Sequence, residues 1–153
     1  MNSFNKITSC MLAWVSIALA GCGSYSSPTS PVTSDTVTSS IDGNWVVASL
    51  MERDEDKSGT LGSYVLTFAT TSTDAGTVTA TRDNSTVSGT WRHSPAVTYY
   101  GSSSTESIVL NLGATTPLNQ LSGTWNVVSS SNTSLSLASP EVAQQERLVL
   151  NKR

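Results

Sequence analysis

Apolar and polar residues alternate along most of residues 41–153, and turn residues interrupt the alternation about every ten to fifteen positions. In one segment, Tyr64, Leu66 and Phe68 fall on the same face. Because successive side chains of a strand point to opposite faces, this period of two predicts strands with one buried face. No segment of convincing length shows a helical period. The predicted strands are 44–51, 63–70, 76–82, 86–93, 106–113, 121–129, 134–138 and 146–152.

Eight short strands joined by hairpin-length loops predict a single all-β domain over residues 41–153. The most natural arrangement is a small eight-stranded antiparallel up-and-down barrel, because closure removes the exposed edges that invite aggregation. A two-sheet β-sandwich is the alternative. The residues expected to point inward are Trp45, Val47, Tyr64, Leu66, Phe68, Val78, Val87, Trp91, Ile108, Leu110, Leu112, Trp125, Val127, Leu135, Leu137, Leu148 and Leu150.

A Gly-x-Trp motif occurs three times in this domain. The pairs are Gly43 with Trp45, Gly89 with Trp91, and Gly123 with Trp125. Glycine at such positions permits a bend or the close approach of another backbone, and the Trp two residues later points to the same face. A buried Trp covers about 200 Å², so three of them are expected to dominate a small core.

The first residues form a predicted targeting segment. Lys6 precedes the uncharged apolar run 10–21, which is too short for a membrane span of ~20 residues and fits a signal peptide over residues 1–21. The run ends in "LAGC" at 19–22, which resembles the lipobox of bacterial lipoproteins. The resemblance implies cleavage before Cys22 and its acylation with fatty acyl chains such as palmitate. Cys10 leaves with the signal peptide, so no disulfide is expected.

Residues 22–40 consist of the lipidated Cys and a Ser/Thr/Pro-rich tether. As a flexible coil, the tether would hold the domain about 25 Å from the membrane. The net charge is −3, or −4 once Lys6 is removed, and there is no basic cluster. Nucleic acid is therefore an improbable partner, and the membrane, reached through the anchor, is the expected one. We expect a monomer.

Residues 41–153 resemble the lipocalin-like domains of bacterial lipoproteins, especially those of Bacteroidetes. The resemblance rests on Gly-x-Trp in the first strand, on "PLNQLSGTW" at 117–125 and on "LVLNK" at 148–152. It implies a non-catalytic envelope protein that binds a small apolar ligand. Gly23 stands where enterobacterial lipoproteins retained at the inner membrane have Asp, which implies the outer membrane, facing the periplasm or the cell surface.

Candidate ligand contacts are Tyr64, Phe68, Tyr99 and Tyr100. Eight-stranded barrels are just wide enough to be filled by side chains or to hold one small ligand. With strands this short and residues this large, a filled interior is favoured. A structural or protein-interaction lipoprotein without a ligand is therefore the alternative function. Of the adjacent tyrosines, one is expected in the core and the other exposed.

The sequence predicts neither an enzyme nor a cofactor. "DEDKSG" at 54–59 resembles half of an EF-hand loop, with Asp54, Asp56 and Ser58 at ligand positions, but Val65 stands where a bidentate Glu is required. No metal site is predicted, and these three residues are a candidate only if other ligands join them. His93, the single histidine, has no nucleophile motif beside it and is expected to be structural.

Overall fold

The computed structural model describes residues 41–153. The predicted signal peptide, Cys22 and the tether lie outside the described residues. Two 3-10 segments, Gly59–Ser63 and Leu118–Leu121, interrupt the strands. The strands are β1 (Gly43–Glu52), β2 (Glu55–Asp56), β3 (Val65–Ser72), β4 (Ala75–Arg82), β5 (Ser85–Ser94), β6 (Thr98–Tyr99), β7 (Ser102–Ser103), β8 (Ser107–Asn111), β9 (Gly123–Ser130), β10 (Ser134–Ala138) and β11 (Arg147–Lys152).

Eight of these strands form a closed antiparallel barrel in up-and-down order. Each pairs with the next along the chain in the order β1, β3, β4, β5, β8, β9, β10, β11, and β1 then pairs with β11. The predicted barrel is thus confirmed in preference to the sandwich. β2 extends only the end of β1, and β6 and β7 form a separate two-stranded hairpin. None of these three short strands was predicted, because two-residue strands carry no detectable alternation.

The strand register defines two ends of the barrel. At the near end, where the described chain begins at Ile41, lie the turn 73–74, the connection 95–106, the turn 131–133 and the C-terminus. At the far end lie the connections 53–64, 83–84, 112–122 and 139–146. The loop that carries β6 and β7 therefore shares an end with the point at which residues 1–40 join the domain.

The barrel interior is filled by one cluster of apolar side chains. All residues predicted to point inward are buried except Val87 and Val127, which are partly buried and pack against the cluster. The prediction missed Leu61, Leu118 and Leu121, all at most 1% exposed. These leucines belong to the 3-10 segments at the far end, where a period of two does not apply.

Two of the three Gly-x-Trp motifs share one local structure. The indole Nε1 of Trp45 donates to the carbonyl of Ile41 at 2.6 Å, and that of Trp125 donates to the carbonyl of Leu121 at 3.0 Å. In both motifs the acceptor lies four residues before the Trp. Gly43 and Gly123 have φ values of 118° and 150°, which side chains other than glycine rarely adopt. The motif here turns a short lead-in segment into a strand and caps it with the indole.

The third motif has a different role. Gly89 is the fifth residue of β5 rather than a strand start, contrary to the expectation that each motif begins a strand. A Cβ at Gly89 would lie 2.0 Å from the carbonyl oxygen of Asn111, so glycine is required by the close approach of that backbone. Within residues 41–153, Nε1 of Trp91 is buried without a hydrogen-bond partner.

This difference predicts unequal effects of Trp→Phe substitutions. Trp45→Phe and Trp125→Phe each remove a buried indole donor from a carbonyl, whereas Trp91→Phe removes a donor that has no acceptor. We expect the first two to lower the free energy of unfolding by about 1–3 kcal/mol more than Trp91→Phe does. Urea titrations of the three variants measure this difference. An equal or larger loss for Trp91→Phe would contradict the assignment.

Candidate functional site

The four predicted ligand contacts lie in two separate places. Tyr64 and Phe68 are buried in the core cluster, where they are 6% and 2% exposed. The Arg82 guanidinium lies over the Tyr64 ring, 4.8 Å from its centroid. Both side chains therefore serve the packing of the barrel, and neither lines any of the grooves described below.

Tyr99 and Tyr100 stand on the hairpin formed by β6 and β7. They are 73% and 91% exposed, and their rings meet edge to face with centroids 4.3 Å apart. The expectation that one of them is buried was wrong, because the hairpin stands apart from the barrel sheet and neither of its faces is covered. Tyr100 and Gly101, with φ values of 45° and 83°, form its turn. Val97, 46% exposed, adds to this aromatic hairpin.

Two grooves open at the far end. The larger, of about 650 Å³, lies between the end of β1 and the connection 139–146, and Asp54, Glu141 and Arg147 are among its lining residues. A neighbouring recess of about 310 Å³ is lined by Leu50, Glu52, Lys57, Gln120 and Glu146. Charged and amide groups predominate in this recess, so it offers little to an apolar ligand.

A shallow groove of about 490 Å³ lies at the near end. Ser72, Asp74, Arg92, His93 and Pro95 are among its lining residues. Although His93 belongs to this lining, it is only 3% exposed. The groove therefore presents mainly the polar groups that surround the histidine.

His93 joins three segments through both nitrogens of its ring. Nδ1 lies 3.0 Å from Oδ1 of Asp74 in the turn between β3 and β4, and Nε2 lies 2.9 Å from Oε1 of Glu106 just before β8. The backbone N–H of His93 also donates to the carbonyl of Asp74. A neutral imidazole has a single N–H, so both contacts are hydrogen bonds only when the ring or one carboxyl carries an extra proton.

Sequence reasoning assigned His93 a structural role but did not find its two partners. Asp74 and Glu106 are 19 and 13 residues away from it in sequence, in turns with no pattern that indicates a pair. The pairing of β5 with both β4 and β8 brings them together. Because two carboxylates contact the ring nitrogens, the arrangement suits a clamp between turns better than a catalytic base.

The candidate metal residues of the "DEDKSG" loop bond within the loop and to β1. Oδ1 of Asp56 accepts from the N–H of Ser58, and Oγ of Ser58 accepts from the N–H of Leu50. Hydrogen bonds from the Ser58 side chain and backbone lower the pKa of Asp56. Asp54 has a φ of 66° in the turn. Among the described residues, no three or more His, Cys, Asp or Glu are grouped as metal ligands.

Carboxylates accumulate around Glu146 at the far end. Partial burial raises the pKa of Glu146, and the negative charges of Glu52 and Glu141 raise it further. The ionised carboxyl is therefore less favourable in the folded protein than in the unfolded chain.

Over residues 41–153, the structure contains no helix with the length and apolar character needed to span a bilayer.

Comparisons with known proteins support the fold rather than an activity. A lipocalin-like protein from Bacteroides uniformis ATCC 8492 is similar over 74% of this chain and 99% of its own, with 14% identity and a TM-score of 0.48. An uncharacterized protein from Bacteroides eggerthii DSM 20697 is similar over the same shares, with 10% identity and a TM-score of 0.46. No protein-family model and no curated protein matches the chain. The closed up-and-down barrel itself is the fold that the lipocalin-like resemblance predicts.

The clamp predicts a stability effect for His93→Phe. This variant keeps an aromatic ring in the buried site but leaves Asp74 and Glu106 without their shared partner. We expect it to lower the free energy of unfolding by about 1–3 kcal/mol, measured by urea titration. Combining it with Asp74→Asn should cost less than the sum of the single effects, because the two residues interact. An unchanged midpoint for His93→Phe would show that the clamp contributes nothing.

The raised pKa of Glu146 predicts that Glu146→Gln stabilises the protein at neutral pH. In the wild type, the ionised carboxyl destabilises the folded state at pH values above its folded pKa. As the pH falls and Glu146 binds a proton, that cost disappears, so the variant loses its advantage in acid. We expect a gain of about 0.5 kcal/mol at neutral pH, from urea titrations across pH.

Glu141→Gln is the matched control, because it removes only one of the neighbouring charges. Its gain should be smaller than that of Glu146→Gln. A gain for Glu146→Gln that grows toward low pH would have the wrong sign and would overturn the assignment.

Proposed function

We propose that this protein is a lipid-anchored lipoprotein of the bacterial cell envelope whose filled barrel is a non-catalytic interaction module. In this proposal the protein is held at the outer membrane through Cys22 and contacts its surroundings through the outside of the barrel. The proposal takes the interaction lipoprotein, rather than the carrier of a small apolar ligand, as the better-supported function.

The filled interior is the observation that carries this choice. Trp45, Trp91 and Trp125 are at most 2% exposed and belong to the same cluster as Tyr64 and Phe68. Small-molecule sites are clefts of about 300–1,000 Å³ with mostly apolar walls. The grooves of comparable size lie on the outside and are lined largely by polar and charged residues. An apolar ligand would therefore have to displace the core.

The order of segments along the chain supports the anchor. A charged start, an apolar run and "LAGC" stand in the order required for processing at Cys22. Two or more acyl chains, each contributing about 0.8 kcal/mol per buried CH₂, hold a protein stably on a membrane. The barrel needs no membrane contact of its own to fold, because its apolar residues face inward.

The remaining features agree with a non-catalytic monomer. The pairing of β1 with β11 leaves the main sheet without a free edge along which a second copy could add. The acidic balance of the chain argues against nucleic acid as a partner. The single histidine is engaged by two carboxylates rather than held ready as a base.

Cys22→Ser tests the anchor directly. We expect the wild-type protein, expressed in a bacterial host, to fractionate with membranes after a high-salt wash, and the Cys22→Ser variant to lose this association. Cys10→Ser is the matched control, because it removes the other cysteine but leaves the lipobox intact. Retention of Cys22→Ser in the washed membranes would contradict the proposal.

Native mass spectrometry of the membrane-extracted wild type separates the two functions. The proposal expects the mass of residues 22–153 plus the anchor, with nothing further bound. A co-purified small molecule, lost on unfolding, would restore the ligand-carrying function.

A further inference from the structure

We propose that the near end of the barrel faces the membrane and that the aromatic hairpin of Tyr99 and Tyr100 lies in its headgroup region. This orientation rests on the proposed lipid anchor and adds a second, non-covalent contact to it. The occupant of the hairpin is therefore the lipid surface rather than a protein or a glycan.

The topology places the hairpin and the attachment point of the anchored segment at one end. Asp42, next to Ile41, accepts hydrogen bonds from the N–H and hydroxyl of Thr70, which lies near the end of β3. The hairpin follows directly from the end of β5 at Ser94, whose neighbour His93 bonds to the turn between β3 and β4. A chain of 19 residues from Cys22 to Ile41 spans at most about 65 Å. The near end thus stays within reach of the bilayer.

The exposed tyrosines have the chemistry of interfacial residues. Tyr concentrates where one part of the ring is apolar and the hydroxyl stays wet, which is the environment of lipid headgroups. Tyr99 and Tyr100 are the two most exposed aromatic side chains of the described chain, and Val97 beside them is also exposed. A hairpin that stands clear of the barrel can enter the headgroup layer without unfolding any barrel strand.

The charges of the two ends differ in the same sense. The near end carries Asp42, Asp74 and Glu106 against Arg92, Lys152 and Arg153, which balance. The far end carries seven carboxylates and four bases. The carboxylates are Glu52, Asp54, Glu55, Asp56, Asp83, Glu141 and Glu146, and the bases are Arg53, Lys57, Arg82 and Arg147. An anionic lipid surface therefore repels the far end more strongly.

The near-end carboxylates are also occupied by the protein itself. Asp42 accepts from Thr70, and Asp74 and Glu106 contact the ring of His93. In contrast, Arg92 and Arg153 are exposed at this end. The groups left available to phospholipid phosphates are thus basic and aromatic.

Fluorescence of the full-length, lipidated protein tests this orientation. Tyr100→Trp places a reporter on the hairpin, and Val142→Trp places a matched reporter at an equally exposed far-end position. The ends are roughly 25 Å apart, given the ten residues of β1 and the tilt of barrel strands. Each variant is reconstituted in vesicles of phosphatidylethanolamine and phosphatidylglycerol, with or without bromine on the acyl chains. Wild type supplies the emission of the three native tryptophans.

We expect bromine to remove a large part of the added emission of Tyr100→Trp and none of that of Val142→Trp. Tyr99→Trp should behave like Tyr100→Trp, which guards against a local defect in one variant. If both hairpin reporters are insensitive to bromine while the protein remains on the vesicles, the orientation is overturned and the anchor stands. If wild type does not associate with vesicles at all, the anchor fails and this inference fails with it.

Discussion

The pairing of β1 with β11 is the constraint on which the rest of the structure depends. It joins the first and last strands of the described chain, from Trp45 opposite Lys152 to Met51 opposite Arg147. Without it, the meander would be an open sheet with two free edges and an uncovered apolar face. Closure also brings the ammonium of Lys152 over the Trp45 ring, 5.3 Å from its centroid, so a charged side chain covers the first core tryptophan at the near end.

Closure leaves two open ends, and the Gly-x-Trp motifs help to fill the interior from both. β1 enters from the near end and β9 from the far end, and each begins with a glycine at positive φ followed by a tryptophan bonded to the carbonyl four residues earlier. Ile41 and Leu121, which supply those carbonyls, are themselves buried. The lead-in segments are therefore part of the core, and Leu118 and Leu61 extend the far-end cover. A repeated tripeptide thus has two related uses and, at Gly89, an unrelated one.

The barrel was predictable from the sequence because strand alternation is a local signal. Leu66, Leu110 and Leu148 reveal their burial through residues only two positions away. The cover of the far end was not predictable, since Leu61 and Leu118 lie in single 3-10 turns with no periodic neighbours. The His93 clamp was not predictable either, because its partners are defined by strand register rather than by spacing. For the tyrosine pair, the alternation rule failed because the hairpin packs against no second layer.

These failures share a physical origin and lie outside the barrel walls. Strand alternation records what faces the core, whereas function in a filled barrel depends on what the turns hold outside it. At the near end, the clamp ties Glu106, at the base of the hairpin connection, to β5 and to the turn that contains Asp74. The exposed tyrosines therefore extend from an anchored base rather than from a free loop. A rigid base lowers the entropy lost when such side chains are ordered against a surface, which is how a solid barrel without a cavity can still provide a contact site.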